Sequence, residues 1–368
     1  MRVRPFAAAR RLLAAPLGVL TLAIGLAAGA APAAHAGPGC TWVPITLQNG
    51  WVSENGAWGT GNPSYCEEAN GMVYLSGSLA GELATSGTFG TLPSQAWPLH
   101  EIYLDVYTYG SSYGVLRIDT DETMEAYNGS ANEYTSLAGV SFPSGSINFQ
   151  TTAIPLENGW QSDQGTYNTG DPAYAVDSND IVHLSGSLHR PAGTPPDYSN
   201  LWTSGALPST AVSADDCFDM DVYSIAGGIA NLESSYGNIM GGNAQYTSLA
   251  GISYPAVPKS AWHTLSLLAG SAYCPMAPSV YAAANVVYLT GYIQFPAGFD
   301  GEITVLPAAD RPTHVLYMIA NTGGTFTTVA DQYLTVQIDP DGSVRVYSPP
   351  NGTASFVALS GLSFHLGS

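Results

Sequence analysis

The stretch YTSLAG occupies residues 134–139 and recurs letter for letter at residues 246–251, 112 positions further along the chain. A third stretch, FVALSG at residues 356–361, keeps its leucine and its glycine in the same places. In all three stretches an aromatic residue follows the glycine three positions later. A strand that closes a β-sandwich would keep a leucine, a glycine and an aromatic residue of this kind. We therefore interpret the stretch as the end of a β unit that the chain contains three times.

Other landmarks recur in the same order around this stretch. The motif L-x-N-G-W begins at Leu47 and at Leu156, and a diverged version, LLAGS, begins at Leu267. The interval of about 110 residues is the usual size of one domain and is too long for a solenoid repeat. We predict a signal peptide followed by three tandem domains, at residues 1–36, 37–150, 151–258 and 259–368. We call the three domain segments copy one, copy two and copy three.

Each copy has the alternating pattern of half-buried β-strands. Apolar and polar residues alternate at residues 73–79, 102–107 and 334–339, and this period of two is typical of strands. The 41 glycines and 25 prolines interrupt the pattern at short intervals. The stretch DPDG at residues 339–342 predicts a tight hairpin turn. The sequence therefore predicts an all-β protein of three tandem β-sandwich or jelly-roll-like domains.

The first 36 residues are typical of a secretory signal peptide. Four arginines precede a long apolar run, and Ala34-His35-Ala36 forms a small-x-small cleavage signal. We expect a secreted, extracellular protein cleaved after Ala36. The pair Arg10-Arg11 leaves the twin-arginine export route open beside the general one. No later stretch offers 18 consecutive apolar residues, so we expect no membrane insertion.

The net charge of the chain indicates which classes of binding partner are disfavoured. Without the signal peptide the chain keeps five of its nine cations and all 28 acidic residues, a net charge of 5 − 28 = −23. An acidic surface repels phosphate backbones and anionic lipids, so we expect neither nucleic acid nor a membrane as partner.

The four cysteines predict disulfides, because an exported chain meets an oxidising compartment. Three connectivities are open, and we favour Cys40–Cys66 and Cys217–Cys274 because each joins neighbours in sequence. There is no CxxC pair and no HxH or HExxH spacing, so neither a metal site nor a cofactor is predicted.

The order of these motifs resembles a known β module. An opening L-x-N-G-W, a central Y-L-x-G, an L-P before a variable loop and a closing L-x-G-[VIL]-S-[FY] are similar to domains at the C-terminal ends of phage tail and fibre proteins. Similar modules occur in secreted actinobacterial proteins. The resemblance covers roughly residues 45–368 and implies a jelly-roll-like fold, trimeric heads and binding of a receptor that is often a cell-wall glycan. Three copies in one chain could then form a pseudo-threefold trimer alone, or could lie as beads on a string.

Catalytic motifs are weak. The match to G-x-S-x-G at residues 110–114 is followed by a strand pattern, whereas a hydrolase elbow needs a helix there, so we predict a hairpin loop. The acids Asp215, Asp216, Asp219 and Asp221 in copy two do not recur in copy three. They lack the order of a calcium-binding loop, and no recurring acid and base pair suits a glycosidase. We assign no catalytic residue.

Tryptophans are the best candidates for ligand contact, because exposed aromatic rings stack on sugar faces. We expect Trp51 and Trp160, which end the recurring N-G-W motif, to fill the cores. Trp58, Trp97 and Trp202 lie in segments that differ between copies, where binding residues usually reside. The sequence thus favours a secreted, non-catalytic binding or surface-structural protein that recognises glycans. The alternatives are an extracellular carbohydrate-active enzyme, with copy two and its loop at 188–202 as the site, and a self-associating coat or matrix component.

Overall fold

Short antiparallel strands form most of the regular structure, so the predicted all-β class is confirmed. The computed structural model describes residues 39–110, 112–145, 150–157, 159–189, 207–213, 219–224, 228–233, 246–322, 333–348 and 354–368. The predicted signal peptide, together with Trp202, Asp215, Asp216 and Cys217, lies outside these residues. No helix in the described ranges is long and apolar enough to span a membrane.

The strands of copy one are β1 (Val43–Pro44), β2 (Val52–Ser53), β3 (Ser64–Glu67), β4 (Met72–Ser76), β5 (Ser78–Ala80), β6 (Thr88–Thr91), β7 (Ile102–Thr108), β8 (Ser112–Ile118), β9 (Thr123–Tyr127), β10 (Thr135–Ser136) and β11 (Ser141–Pro143). Those of copy two are β12 (Thr152–Ala153), β13 (Gln161–Ser162), β14 (Ala173–Val176), β15 (Ile181–Ser185), β16 (Ser187–His189), β17 (Asp219–Ser224), β18 (Gly228–Glu233), β19 (Thr247–Ser248) and β20 (Ser253–Pro255). Those of copy three are β21 (His263–Thr264), β22 (Ser271–Ala272), β23 (Ser279–Ala283), β24 (Val286–Thr290), β25 (Tyr292–Gln294), β26 (Gly301–Val305), β27 (Leu316–Asn321), β28 (Tyr333–Ile338), β29 (Ser343–Tyr347), β30 (Phe356–Ala358) and β31 (Ser363–His365).

Helical structure is confined to single turns. The α-helices are α1 (Asn55–Trp58) and α2 (Gln164–Tyr167), and the 3-10 helices are Ser94–Ala96, Ser209–Ala211, Lys259–Ala261 and Ala308–Asp310. Three of the 3-10 turns follow the proline of the recurring L-P motif. These prolines, at the N-cap positions, are Pro93, Pro208 and Pro307.

The same strand order occurs in all three copies. A four-stranded sheet runs β1-β3-β4-β11, then β12-β14-β15-β20, then β21-β23-β24-β31. The facing strands form the sheets β2-β5-β10-β7-β8-β9-β6 in copy one and β13-β16-β19-β17-β18 in copy two. In copy three they form two sheets, β22-β25-β30 and β26-β29-β28-β27. The limits of the three predicted domains stay predictions beside this recurrence.

The YTSLAG stretch connects the two sheets of its copy. In copy one it contains β10 of the larger sheet and leads into β11 of the four-stranded sheet. The N–H of Leu137 donates to the carbonyl of Gly77 at 2.9 Å, and Leu249 and Leu359 make the same bond to Gly186 and Gly291. All three leucines are fully buried, each in its own copy's main hydrophobic cluster. The stretch therefore closes the fold, as the sequence predicted.

Strand β4 is more buried than its sequence pattern predicts. Residues 72–76 of β4 are buried at every position, although the alternation predicted one exposed face. Val73 and Leu75 pack in the core of copy one, whereas Met72 and Tyr74 belong to a second cluster with Ile181 of copy two and residues of copy three. The outer face is buried because the copies pack against one another.

Both predicted hairpins are present. The G-x-S-x-G match begins at Gly110, just after β7, and its last three residues already belong to β8, which pairs with β7 along its full length. The match is therefore part of a hairpin, and no helix follows it. The DPDG turn joins β28 to β29, with Gly342 at a φ of 92°.

The predicted disulfide Cys40–Cys66 is present, with its Cα atoms 5.6 Å apart. Cys274 is also disulfide-bonded. The pairing of Cys274 with Cys217 stays a prediction, since Cys217 lies outside the described residues.

Candidate functional site

The central strands β7, β17 and β27, one from each copy, lie in contact with one another. The glycines that end the three closing stretches face these strands in cyclic order. A Cβ atom added to Gly139 of copy one would lie 3.0 Å from Met318 Sδ in copy three. The corresponding atom on Gly251 of copy two would meet Leu104 of copy one, and that on Gly361 of copy three would lie 2.5 Å from Met220 Cγ of copy two. Leu104, Met220 and Met318 therefore occupy equivalent places.

A cavity of ≈ 100 Å³ lies where the three strands and the three glycines meet. One water occupies about 30 Å³ of liquid volume, so this space corresponds to only a few waters. It is too small for a sugar ring with its hydroxyl groups.

Aromatic side chains gather where copy one meets copy three, around Trp58. The Tyr107 ring of β7 stacks on Tyr317 of β27, with ring centres 5.5 Å apart and planes inclined by 21°. Trp58 packs edge-on against Tyr317 at 5.8 Å, and its ring is tilted by 58° to that of Tyr134 at 5.1 Å. Tyr109 lies 6.2 Å from the same indole. We call these five residues the Trp58 cluster.

Local backbone geometry sets the position of Trp58. The single turn α1 ends at Trp58 and is followed by Gly59 at a φ of 69°. Glycine adopts this left-handed conformation without strain. The Gly59 carbonyl accepts a hydrogen bond of 3.1 Å from the Val315 N–H, just before β27. Trp58 stays partly exposed, and Tyr109 is 45% exposed. The Trp58 cluster therefore exposes part of the Trp58 and Tyr109 rings to solvent, while Tyr107 and Tyr134 are buried.

A second cluster lies at the equivalent place between copy two and copy one. Tyr223 of β17 stacks on Tyr103 of β7 at 5.7 Å with an inclination of 15°. Tyr167 ends α2 as Trp58 ends α1, and its ring lies 4.4 Å from that of Tyr246. The Asn168 carbonyl accepts from the backbone N–H of Glu101 at 3.2 Å. The contacts of the Trp58 cluster are thus repeated, with tyrosine in place of tryptophan.

Burial raises the pKa of several phenols in and beside the two clusters. It raises the pKa of Tyr317 to about 12, with a further contribution from the neighbouring Tyr107. Burial likewise raises the pKa of Tyr127, beside the second cluster, to about 12. Burial also raises the pKa of Tyr134 and of Tyr246 well above the usual range. At neutral pH the clusters therefore offer uncharged rings and hydroxyl groups.

Arginines near the clusters are already paired with carboxylates. Arg117 donates to Glu101 and, at 2.7 Å, to Asp119. Arg345 donates to Asp339. These guanidinium groups are therefore poorly placed to receive an anionic ligand as well.

The structure places the described tryptophans in different surroundings. Trp51 and Trp160 are buried in the cores of their copies, which confirms that prediction. Trp97 packs on the core of copy one, and its Nε1 donates to the Leu92 carbonyl at 2.9 Å. Trp58 lies in the aromatic cluster, and Trp202 lies outside the described residues. Of the predicted binding residues that are described, Trp58 has the more suitable surroundings.

Sequence reasoning missed the tyrosines that surround Trp58. Tyr107 and Tyr317 belong to different copies, so no local pattern shows that they stack. One signal was present: Trp58 and Tyr167 each lie seven residues after the tryptophan of the N-G-W motif. That shared spacing indicates an equivalent aromatic position in copies one and two.

Cys40, Cys66 and His365 converge within 4.8 Å, a spacing that would suit a metal ion. The two sulfur atoms are bonded to each other in this form. The Gly367 N–H donates to His365 Nδ1 at 3.1 Å, which leaves the proton on Nε2, 3.3 Å from Glu68 Oε1. The donor atoms are thus already engaged, and the group joins the start of copy one to the last strand.

In comparisons with known proteins, no family model, curated protein or solved structure matched the chain.

Proposed function

We propose that the protein is an exported, non-catalytic binding protein that recognises uncharged glycans through the Trp58 cluster. The observation that carries the proposal is the partly exposed Trp58 indole, held by Tyr134 and Tyr317 beside the exposed Tyr109. Rigid aromatic rings give large contact area at a small cost in conformational entropy. The phenol of Tyr109 adds a group that can donate to and accept from sugar hydroxyls.

Charge supports an uncharged glycan in particular. The net charge of −23 without the signal peptide disfavours polyanions such as uronate or phosphate polymers. The described arginines Arg117 and Arg345 already bind carboxylates of the chain. An uncharged saccharide needs no such cation, because stacking and hydroxyl hydrogen bonds supply its recognition.

We also propose that the three copies form one pseudo-threefold unit within the chain. The cyclic contacts of Gly139, Gly251 and Gly361 with the next copy support it. So does the stacking of Tyr107 on Tyr317 and of Tyr223 on Tyr103 at two successive boundaries. This arrangement would resemble the trimeric heads implied by the phage tail and fibre modules.

A glycan array followed by calorimetric titration with the best uncharged oligosaccharide tests the binding proposal. We expect wild-type protein to bind, and Trp58→Ala to weaken binding at the Trp58 cluster at least tenfold while the protein stays folded. Leu99→Ala, which removes an exposed apolar side chain outside the cluster, is the matched control and should bind normally.

The same samples separate the alternatives. Release of product from the bound glycan would overturn the non-catalytic part of the proposal and favour an enzyme. Absence of binding together with self-association in light scattering would favour a coat or matrix component. Normal binding by Trp58→Ala would refute the assignment of the site.

A further inference from the structure

A third aromatic pair includes the first residue of the closing stretch of copy three. Phe356 begins the closing stretch as Tyr134 and Tyr246 begin theirs, and it packs against Tyr273 with ring centres 4.9 Å apart. The distances of Trp58 to Tyr134 and of Tyr167 to Tyr246 are 5.1 and 4.4 Å. Each copy therefore places an aromatic partner over the first residue of its closing stretch.

This third pair differs from the others in its exposure. Tyr134 and Tyr246 are each 1% exposed, because a neighbouring copy covers them. Tyr273, in contrast, is 61% exposed, and Phe356 is partly exposed. Among the described aromatic pairs, this one offers the most ring surface to a ligand.

The backbone around Tyr273 is fixed on both sides. Its N–H donates to the Tyr292 carbonyl at 3.0 Å, directly after β22. The next residue, Cys274, is disulfide-bonded, and Pro275 follows with its restricted φ. An exposed ring on a fixed backbone loses little freedom on binding, which favours affinity.

We propose that Tyr273 and Phe356 form a second glycan site, so that one chain holds an uncharged polysaccharide at two places. The inference rests on the proposed function of the Trp58 cluster, since it assigns the same ligand class to another exposed aromatic pair beside a closing stretch. Two sites on one chain make the second contact intramolecular. Such linkage raises the apparent affinity for a polymer by about 10²–10⁴ over a single site when the geometry permits both contacts.

The test compares a short oligosaccharide with the long polymer of the same sugar. For the oligosaccharide, titration of the wild type should give two sites per chain, and Trp58→Ala and Tyr273→Ala should give one each. On immobilised polymer each single variant should lose at least tenfold in apparent affinity, and the double variant should not bind. Tyr273→Phe keeps the ring and should retain binding, as should Leu268→Ala, which alters another exposed residue of copy three.

The outcomes separate this inference from the proposal beneath it. One site per chain in the wild type, lost in Trp58→Ala and unchanged in Tyr273→Ala, would overturn the second site and leave the first intact. Failure of the wild type to bind any uncharged glycan would overturn both. Circular dichroism spectra that match the wild type show that each variant is folded, so that any loss of binding reflects contact with the sugar.

Discussion

Replacement of Gly139 by alanine should destabilise the protein by more than its backbone conformation alone explains. Gly139 has a φ of 80°, in the left-handed region where a side chain costs about 1–2 kcal/mol. The added Cβ would also lie 3.0 Å from Met318 Sδ and 3.3 Å from the Ser363 carbonyl oxygen, both in copy three. Overpacking of this kind costs about 1–3 kcal/mol. We therefore expect a loss of about 2–5 kcal/mol in the free energy of unfolding.

Gly110 provides the matched control for the backbone contribution. Its φ is 72°, and an added Cβ there would have no heavy atom within 4 Å. Gly110→Ala should therefore cost about 1–2 kcal/mol, from the left-handed conformation alone. Both substitutions restrict the unfolded chain similarly, so that contribution cancels in the comparison. The difference between the two variants measures the packing of copy one against copy three.

Urea unfolding followed by circular dichroism gives both free energies. Since folded proteins are stable by about 5–15 kcal/mol, a loss of about 2–5 kcal/mol is readily measured. Equal losses in the two variants would refute the contact between Gly139 and copy three. A well-folded, stable Gly139→Val would go further and refute the role of this glycine in closing the fold, because a β-branched residue fits the left-handed region poorly.

Three further outcomes are expected. Small-angle scattering of residues 37–368 should give a radius of gyration of about 20 Å, the value for one compact body of this length; the profile of an extended rod would contradict the pseudo-threefold proposal. Burial raises the pKa of Tyr317 to about 12, whereas a tyrosine in the unfolded chain ionises near pH 10. Its contribution to the free energy of unfolding is therefore fully present below about pH 10 and is lost as the pH rises toward 12. Tyrosinate absorbance should accordingly appear together with loss of structure, and ionisation near pH 10 in an intact fold would count against the buried clusters. Non-reducing peptide mapping should recover Cys217 joined to Cys274, and labelling of Cys217 by a thiol reagent without prior reduction would argue against that pairing.

Much of the local fold could be predicted from the sequence. The alternation at residues 102–107 became β7, the DPDG turn became the β28–β29 hairpin, and the glycine and leucine of YTSLAG became the connection between sheets. These features depend on near neighbours in the chain, where residue type limits the backbone directly. The disulfide Cys40–Cys66 could also be predicted, because it joins cysteines only 26 residues apart within one copy.

The candidate site was only partly predictable. Trp58 was identified because its segment varies between copies, but Trp97 satisfied the same criterion and packs on the core. The strand patterns could not show that Met72 and Tyr74 of β4 would be buried against other copies. Such contacts join residues more than 100 positions apart in sequence, and alternation records only which face is apolar.

The sequence by itself determined the repeated unit, its β class and the places where the backbone must turn, because short-range preferences of glycine, proline and alternating residues act within each copy. Tertiary structure alone decided how the copies meet. It placed Gly139 against Met318, stacked Tyr107 on Tyr317, covered Tyr134 and left Tyr273 exposed. The physical reason is that packing complementarity depends on the positions of several strands at once. The same six letters therefore close the fold in copies one and two, while a neighbouring copy decides which aromatic rings stay exposed.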